Sequence, residues 1–203
     1  KPAAPNAFRI ALPSMLMFAS DGWIYACTGY AWQIALFLTL GESFTAFGGA
    51  VALSALVGAV SGLVLGKYID AGRGVRAVWL TYGGFAALIL LRAMSVDIVA
   101  LAVIANALGA LIACLYVPTI MTAVYNQAKR SPCPLRFHVT TEGGWDIGGA
   151  SGCVAAATLS ALGAPLSTTI LLALAGVALG QFLLHRYYSG VGIVPAQAVA
   201  ESA

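Results

Sequence analysis

The stretch 44-FTAFGGAVALSALVGAVSGLVLGKYI-69 carries no charged residue before Lys67 and is built of small and aliphatic side chains. A helix of roughly 20 apolar residues crosses a bilayer core of about 30 Å, so this segment is long enough to span one. The chain around it has the same character. Of 203 residues, 61% are hydrophobic and only 8% are charged, against about 25% charged residues in soluble domains. A soluble domain of this length could not cover its surface with so few polar side chains. Disorder needs long polar tracts and nucleic-acid binding needs clustered cations free of apolar neighbours, and the sequence offers neither. The sequence is that of an integral membrane protein, with the lipid bilayer as a partner and no nucleic acid.

Working outward from residues 44–69, six spans are expected: 10–40, 44–69, 75–94, 97–126, 139–162 and 166–185. They form one membrane domain over residues 1–188, followed by a weakly polar, flexible tail at 189–203. The first span is long enough to be tilted or broken, with Pro13 near its start, and Pro118 marks a kink in the fourth. Ser43 and Asp97 are the expected N-caps of the second and fourth spans. The loops alternate in charge: Lys1, Arg9, Lys67, Arg73, Arg76, Lys129, Arg130, Arg136 and Arg186 fall on one side, and Arg92 alone falls in a loop on the other. The positive-inside rule makes the crowded side cytoplasmic and places both termini there. No cleaved signal peptide is expected, because the first apolar run is too long. Cys27, Cys114 and Cys153 read as small packing residues and Cys133 as a loop thiol, with no disulfide framework.

Glycine is 23 of 203 residues, a high share unless helices approach closely. The second span carries Ser54, Gly58, Gly62 and Gly66 at four-residue spacing, and the fifth carries Gly144, Gly148 and Gly152. Each series forms a lengthwise stripe that admits a neighbouring backbone, whether for helices that slide past one another or for static packing. The stripes fall on the middle helix of each triplet, and Pro13 and Pro118 on the first. Two inverted three-helix repeats are the pattern this predicts.

Three carboxylates lie inside the expected spans: Asp21, Glu142 and Asp146. Asp21 follows Arg9 by about 18 Å of helix, close to mid-bilayer. Glu142 and Asp146 share a helix face one turn apart. Carboxylates are expensive in lipid, so all three are expected to face protein or water. They read as sites for a coupling proton or cation or for substrate; Glu142 reads equally well as a partner for a cytoplasmic arginine. Asn106 and Gln33 are further candidates, for substrate or for interhelical hydrogen bonds. His138 and His185 read as interfacial residues. No spacing sets a nucleophile beside a base or gathers a metal triad, so no enzyme, metal or cofactor is expected.

The junction Gly66-Lys67-Tyr68-Ile69-Asp70-Ala71-Gly72-Arg73-Gly74-Val75-Arg76 resembles the G-x-x-x-D-(R)-x-G-R-(R/K) loop of the major facilitator superfamily, between the second and third helices of a half. Ala71 replaces the usual basic residue and the Gly-Arg register is shifted by one, a relaxed form commoner in the C-terminal half. Leu38-Thr39-Leu40-Gly41-Glu42-Ser43 is similar to the family's short periplasmic turn. The segment from Tyr125 through Arg136 to Gly148 is similar to its fourth-to-fifth helix junction. The resemblance implies an all-α, six-helix half of a secondary transporter working by alternating access, by symport or antiport, in a bacterial inner membrane. It implies a cytoplasmic gate latch of Gly66, Asp70, Gly72, Arg73, Arg76 and Arg136. Full members have about twelve spans, so a second six-helix half or a homodimer is the expected partner and a small molecule or ion the substrate. The rival expectation is a non-transporting scaffold or regulatory subunit that docks through its glycine faces. The transport reading expects Asp146→Asn to abolish uptake into vesicles while the protein stays folded; full uptake by that variant would remove Asp146 from the mechanism.

Overall fold

A computed structural model of the chain describes residues 7–69 and 74–190. Helix α1 (Ala7–Tyr25) passes through a π-helical segment (Ala26–Ala31) directly into α2 (Trp32–Thr39), so the long first span is interrupted but not ended. There follow α3 (Phe44–Ile69), α4 (Gly74–Ser95), α5 (Val99–Lys129), α6 (Pro134–Ala161), the short α7 (Leu166–Leu171) and α8 (Ala173–Gly190). The described residues contain no strand. Asp70, Gly72 and Arg73 of the expected latch, and nearly all of the expected tail, lie outside the described residues; α8 reaches Gly190.

Five runs are long and apolar enough to cross a membrane: Phe8–Thr39, Phe44–Val64, Val75–Ser95, Val99–Lys129 and Leu166–Gly190. The chain is thus built as an all-helical integral membrane protein. The expected span at 139–162 is not among the five. Helix α6, which contains it, holds Glu142, Asp146 and many Gly, Ser and Thr residues, and these dilute its apolar content.

Helix α6 nonetheless packs on the bundle along one face, backbone against backbone with α1. A Cβ on Gly144 would meet the Met15 carbonyl, one on Gly148 the Ala19 carbonyl, and one on Gly22 the Trp145 carbonyl. A Cβ on Gly152 would lie 2.7 Å from Cβ of Ala26. These contacts advance together along both helices, so α1 and α6 run parallel. The middle of α6 therefore sits at the depth of the span beside it.

Helices α3 and α5 are also parallel. Asn106 meets Ala50 and Ser54, and Ala110, four residues further on, meets Gly58, four beyond Ser54. Helix α4 runs antiparallel to α5, with Gly84 near Ile112 and Arg92 over Gly109. Helix α8 runs antiparallel to both α1 and α4: Gly176 meets Ser20 and Ile24, Gly180 meets Tyr82, and Trp79 stacks edge-on against His185 at 5.9 Å. Trp32, Tyr82, Ile24, Leu36 and Ile89 are the largest side chains sealed in the core.

The two expected glycine stripes are used unequally. Gly144, Gly148 and Gly152 are all buried in the α1–α6 seam. On α3, Ser54 and Gly58 meet α5, but Gly62 is exposed with nothing described within 4 Å, so the stripe ends halfway; the surroundings of Gly66 lie outside the described residues. Among the described residues α3 packs almost wholly against α5, and Leu53, Leu56, Val60 and Leu63 face outward.

Turn chemistry matches expectation at one of two places. Ser43 caps α3 by accepting the Ala46 N–H at 3.3 Å. Asp97 does not cap α5. Ile98 occupies the N-cap position, while Asp97 sits in the left-handed region (φ 69°) with its own N–H donated to the Thr39 hydroxyl at 3.2 Å. Helix α6 begins at Pro134, earlier than expected, because proline suits the first turn of a helix.

The seam predicts a contrast. Gly148→Leu should lower the apparent melting temperature in detergent, since overpacking costs about 1–3 kcal/mol of stability and here the obstacle is backbone and cannot rotate away. Gly62→Leu should leave it unchanged. Equal effects on differential scanning of the two variants would contradict the seam.

Candidate functional site

A cavity of about 340 Å³ lies between α1, the π segment, α4 and α5. Ile24, Phe85, Leu88, Ile112 and Val117 give it apolar walls, and Asp21, Tyr25, Thr28, Arg92 and Tyr116 are its polar side chains. It faces outward between Tyr25 on α1 and Ala113 and Val117 on α5, all three exposed.

Asp21 is half-buried and accepts a hydrogen bond of 2.6 Å from the Tyr116 hydroxyl. The Trp145 indole of α6 sits beside the same carboxylate, brought there by the α1–α6 seam. Tyr116 is itself wedged between Tyr82 and Phe85, with ring centroids at 5.4 and 5.1 Å. The carboxylate is therefore held by a donor that packing fixes in place.

Arg92 is only 7% exposed. Its guanidinium donates to the Thr28 carbonyl in the π segment at 3.5 Å and lies 4.9 Å over the Trp32 ring. Its Nε has no hydrogen-bond partner among the described residues. Gly109 of α5 makes the room: a Cβ there would collide with a terminal guanidinium nitrogen. The sequence suggests a loop position for Arg92; the structure corrects this, placing it in the last turn of α4 with its side chain buried. The legible sign was the stripe Val78, Tyr82, Phe85, Ile89, Arg92, spaced alternately four and three, which continues the core face of α4 to the arginine.

The other sequence candidates are dispersed. Asn106 is a knot between helices and does not line the cavity. Its Oδ1 accepts from Trp32 Nε1 (3.1 Å), its Nδ2 donates to the Ala50 carbonyl (3.2 Å), and its backbone carbonyl accepts from the Ser54 hydroxyl (3.0 Å). Gln33 is half-buried, with its Oε1 unpartnered among the described residues. Glu142 and Asp146 are exposed on α6, outside the cavity lining. Arg76 and Arg136 are exposed as well. His138 stacks against Tyr125 and Phe137, and no three metal-binding side chains gather among the described residues. All four cysteines are free; Cys153 is exposed on α6 instead of packed, whereas the Cys114 thiol donates to the Gly58 carbonyl at 3.4 Å.

Compared with known proteins, the chain matches no family model, no curated protein and no solved structure.

The Trp32–Asn106 bond is fully sealed, so each partner depends on the other. Trp32→Phe and Asn106→Leu should each reduce stability by about 1 kcal/mol, within the range for a stranded buried group. Made together they should lose no more than the worse single change. Simple additivity in this cycle, measured by thermal unfolding, would show that the bond carries no energy.

Proposed function

We propose that this chain is one half of a secondary membrane transporter, related in plan to the major facilitator superfamily, whose substrate path includes the cavity at Asp21 and Arg92. The observation that carries the reading is that cavity: a carboxylate and a buried guanidinium on a half-open, otherwise apolar pocket within helices of membrane-spanning length. Ionisable groups inside membrane helices ordinarily mark substrate or ion pathways.

The helix pairing supports the inverted-repeat plan. Exchanging α1 with α5, α3 with α6, and α4 with α8 turns the α1–α6 pair into α5–α3, turns α1–α8 into α5–α4, and leaves α4–α8 unchanged. These are among the strongest pairs in the bundle. Both parallel pairs, α1–α6 and α3–α5, are closed by small residues of the middle helix, as inverted repeats would have it.

The exposed Glu142 and Asp146 fit the same plan. At the depth of α1 they are too costly to leave in lipid. A second half, or a second copy, would cover them and close the cavity, leaving the two carboxylates on the joint path as coupling sites for a proton or cation. A bacterial inner membrane, with both termini cytoplasmic, follows from the same reading together with the clustering of basic residues.

A scaffold that only docks has one observation in its favour. Gly48, Gly49 and Gly62 on α3 have nothing described within 4 Å, on a helix whose outer side is largely uncovered. The glycines of α6, by contrast, are consumed inside the chain.

Water access separates the two readings without knowledge of the substrate. With the four native cysteines replaced by alanine, Ala113→Cys on the cavity rim should react rapidly with a membrane-impermeant maleimide, and Leu80→Cys on the outer face of α4 should stay inert. An Ala113→Cys variant as inert as Leu80→Cys would mean a dry cavity and would remove the transport reading.

A further inference from the structure

Resting on the transport reading, we infer that the cavity binds a small organic monoanion, a carboxylate with a compact apolar body, and that Arg92 is the residue that receives it. A guanidinium has five N–H donors and no means of becoming neutral in a protein. Buried charges are ordinarily paired or coordinated. Arg92 is 7% exposed, yet its one hydrogen bond is long (3.5 Å), to a neutral carbonyl, and its Nε is unpartnered among the described residues. The carboxylate on the same cavity, Asp21, is already engaged by Tyr116 at 2.6 Å.

The shape of the site narrows the ligand further. The guanidinium packs into the space beside Gly109 that a Cβ would fill, and it lies 4.9 Å over the Trp32 ring, so its orientation is fixed from two sides. A planar fork held in this way matches a carboxylate in two parallel hydrogen bonds. Beyond it the walls are Ile24, Phe85, Leu88 and Ile112, which suit an apolar body and offer nothing to a second negative charge. A volume of about 340 Å³ lies at the small end of the range for small-molecule pockets. A dianion such as a phosphate ester would leave one charge unmatched.

The test titrates benzoate, benzyl alcohol and benzylamine into the full chain in nanodiscs, following tryptophan fluorescence with calorimetry as a check. Benzoate should bind saturably and at least tenfold more tightly than the other two. Arg92→Gln should weaken it tenfold or more, and Gly109→Val, which keeps the charge but displaces the guanidinium, should weaken it as well. If Arg92→Gln does not fold, phenylglyoxal modification of Arg92 in the unaltered chain, located by mass spectrometry, should be slowed by benzoate and not by benzyl alcohol. Equal binding of all three probes, tighter binding of benzylamine, or benzoate binding untouched by Arg92→Gln would overturn the inference. Uptake into proteoliposomes carrying the native complex tells the two readings apart. Benzoate bound at Arg92 but not moved upholds the anion site and removes transport. Benzylamine moved regardless of Arg92 upholds transport and removes the anion site.

Discussion

Backbone contact between α1 and α6 is the constraint on which the rest of the bundle depends. Dispersion between atoms falls steeply with distance, and lipid tails compete for every aliphatic surface, so membrane helices gain most where their backbones touch. Gly144, Gly148 and Gly152 supply that approach on α6, and Gly22 answers them from α1. The contact does more than hold two helices together. Helix α6 is the most polar long helix of the chain and would be a poor candidate to enter a bilayer by itself. Docked on α1, it is carried to the depth of its neighbour, and Trp145 comes to rest beside Asp21.

A second consequence appears one helix turn beyond Asp21. From Ala26 to Ala31 the helix widens into a π segment, a local departure that occurs mostly as short insertions at functional sites. Thr28 in this segment presents its carbonyl to Arg92, and Trp32 immediately after it lies under the guanidinium and holds Asn106. Asn106 then ties α5 to α3 through Ala50 and Ser54. A chain of polar contacts thus runs from α4 through the irregular stretch of the first span to α5 and α3. Each link satisfies a group that lipid could not. Four of the six residues of the irregular stretch, Ala26, Cys27, Thr28 and Ala31, are buried against protein, and Thr28 and Gly29 line the cavity, the two settings in which a membrane tolerates non-α backbone.

The fold was largely legible because the bilayer simplifies the code. Apolar length marked five of the six expected spans, Ser43 announced the start of α3, and the spacing of Gly144, Gly148 and Gly152 announced the tightest seam. The site was less legible, for reasons that can be named. Composition treats a charge near a helix end as a loop residue, and Arg92 stands one turn from the end of α4; only its phase with Tyr82, Phe85 and Ile89 reveals that it turns inward. Tyr116 was overlooked because a tyrosine in a span ordinarily reads as interfacial. Asp146 and Asp21 looked alike from depth alone. Depth does not fix the face of the helix, and the structure puts Asp21 on the cavity and Asp146 on the outer side of α6.

The two charges of the cavity do not neutralise one another, and this shapes what the site can do. Thr28, which anchors Arg92, lies seven residues beyond Asp21, about 10 Å along a helix. Each charge has its own support: Tyr116 for the carboxylate, Trp32 and the Thr28 carbonyl for the guanidinium. A direct ion pair across the cavity would have drawn α1 and α4 together and filled the space between them. Held apart, the two groups leave an apolar gap with polar ends, open on the side where Tyr25, Ala113 and Val117 are uncovered. Low surrounding polarity makes an unmatched guanidinium a strong attractant for any anion that can enter.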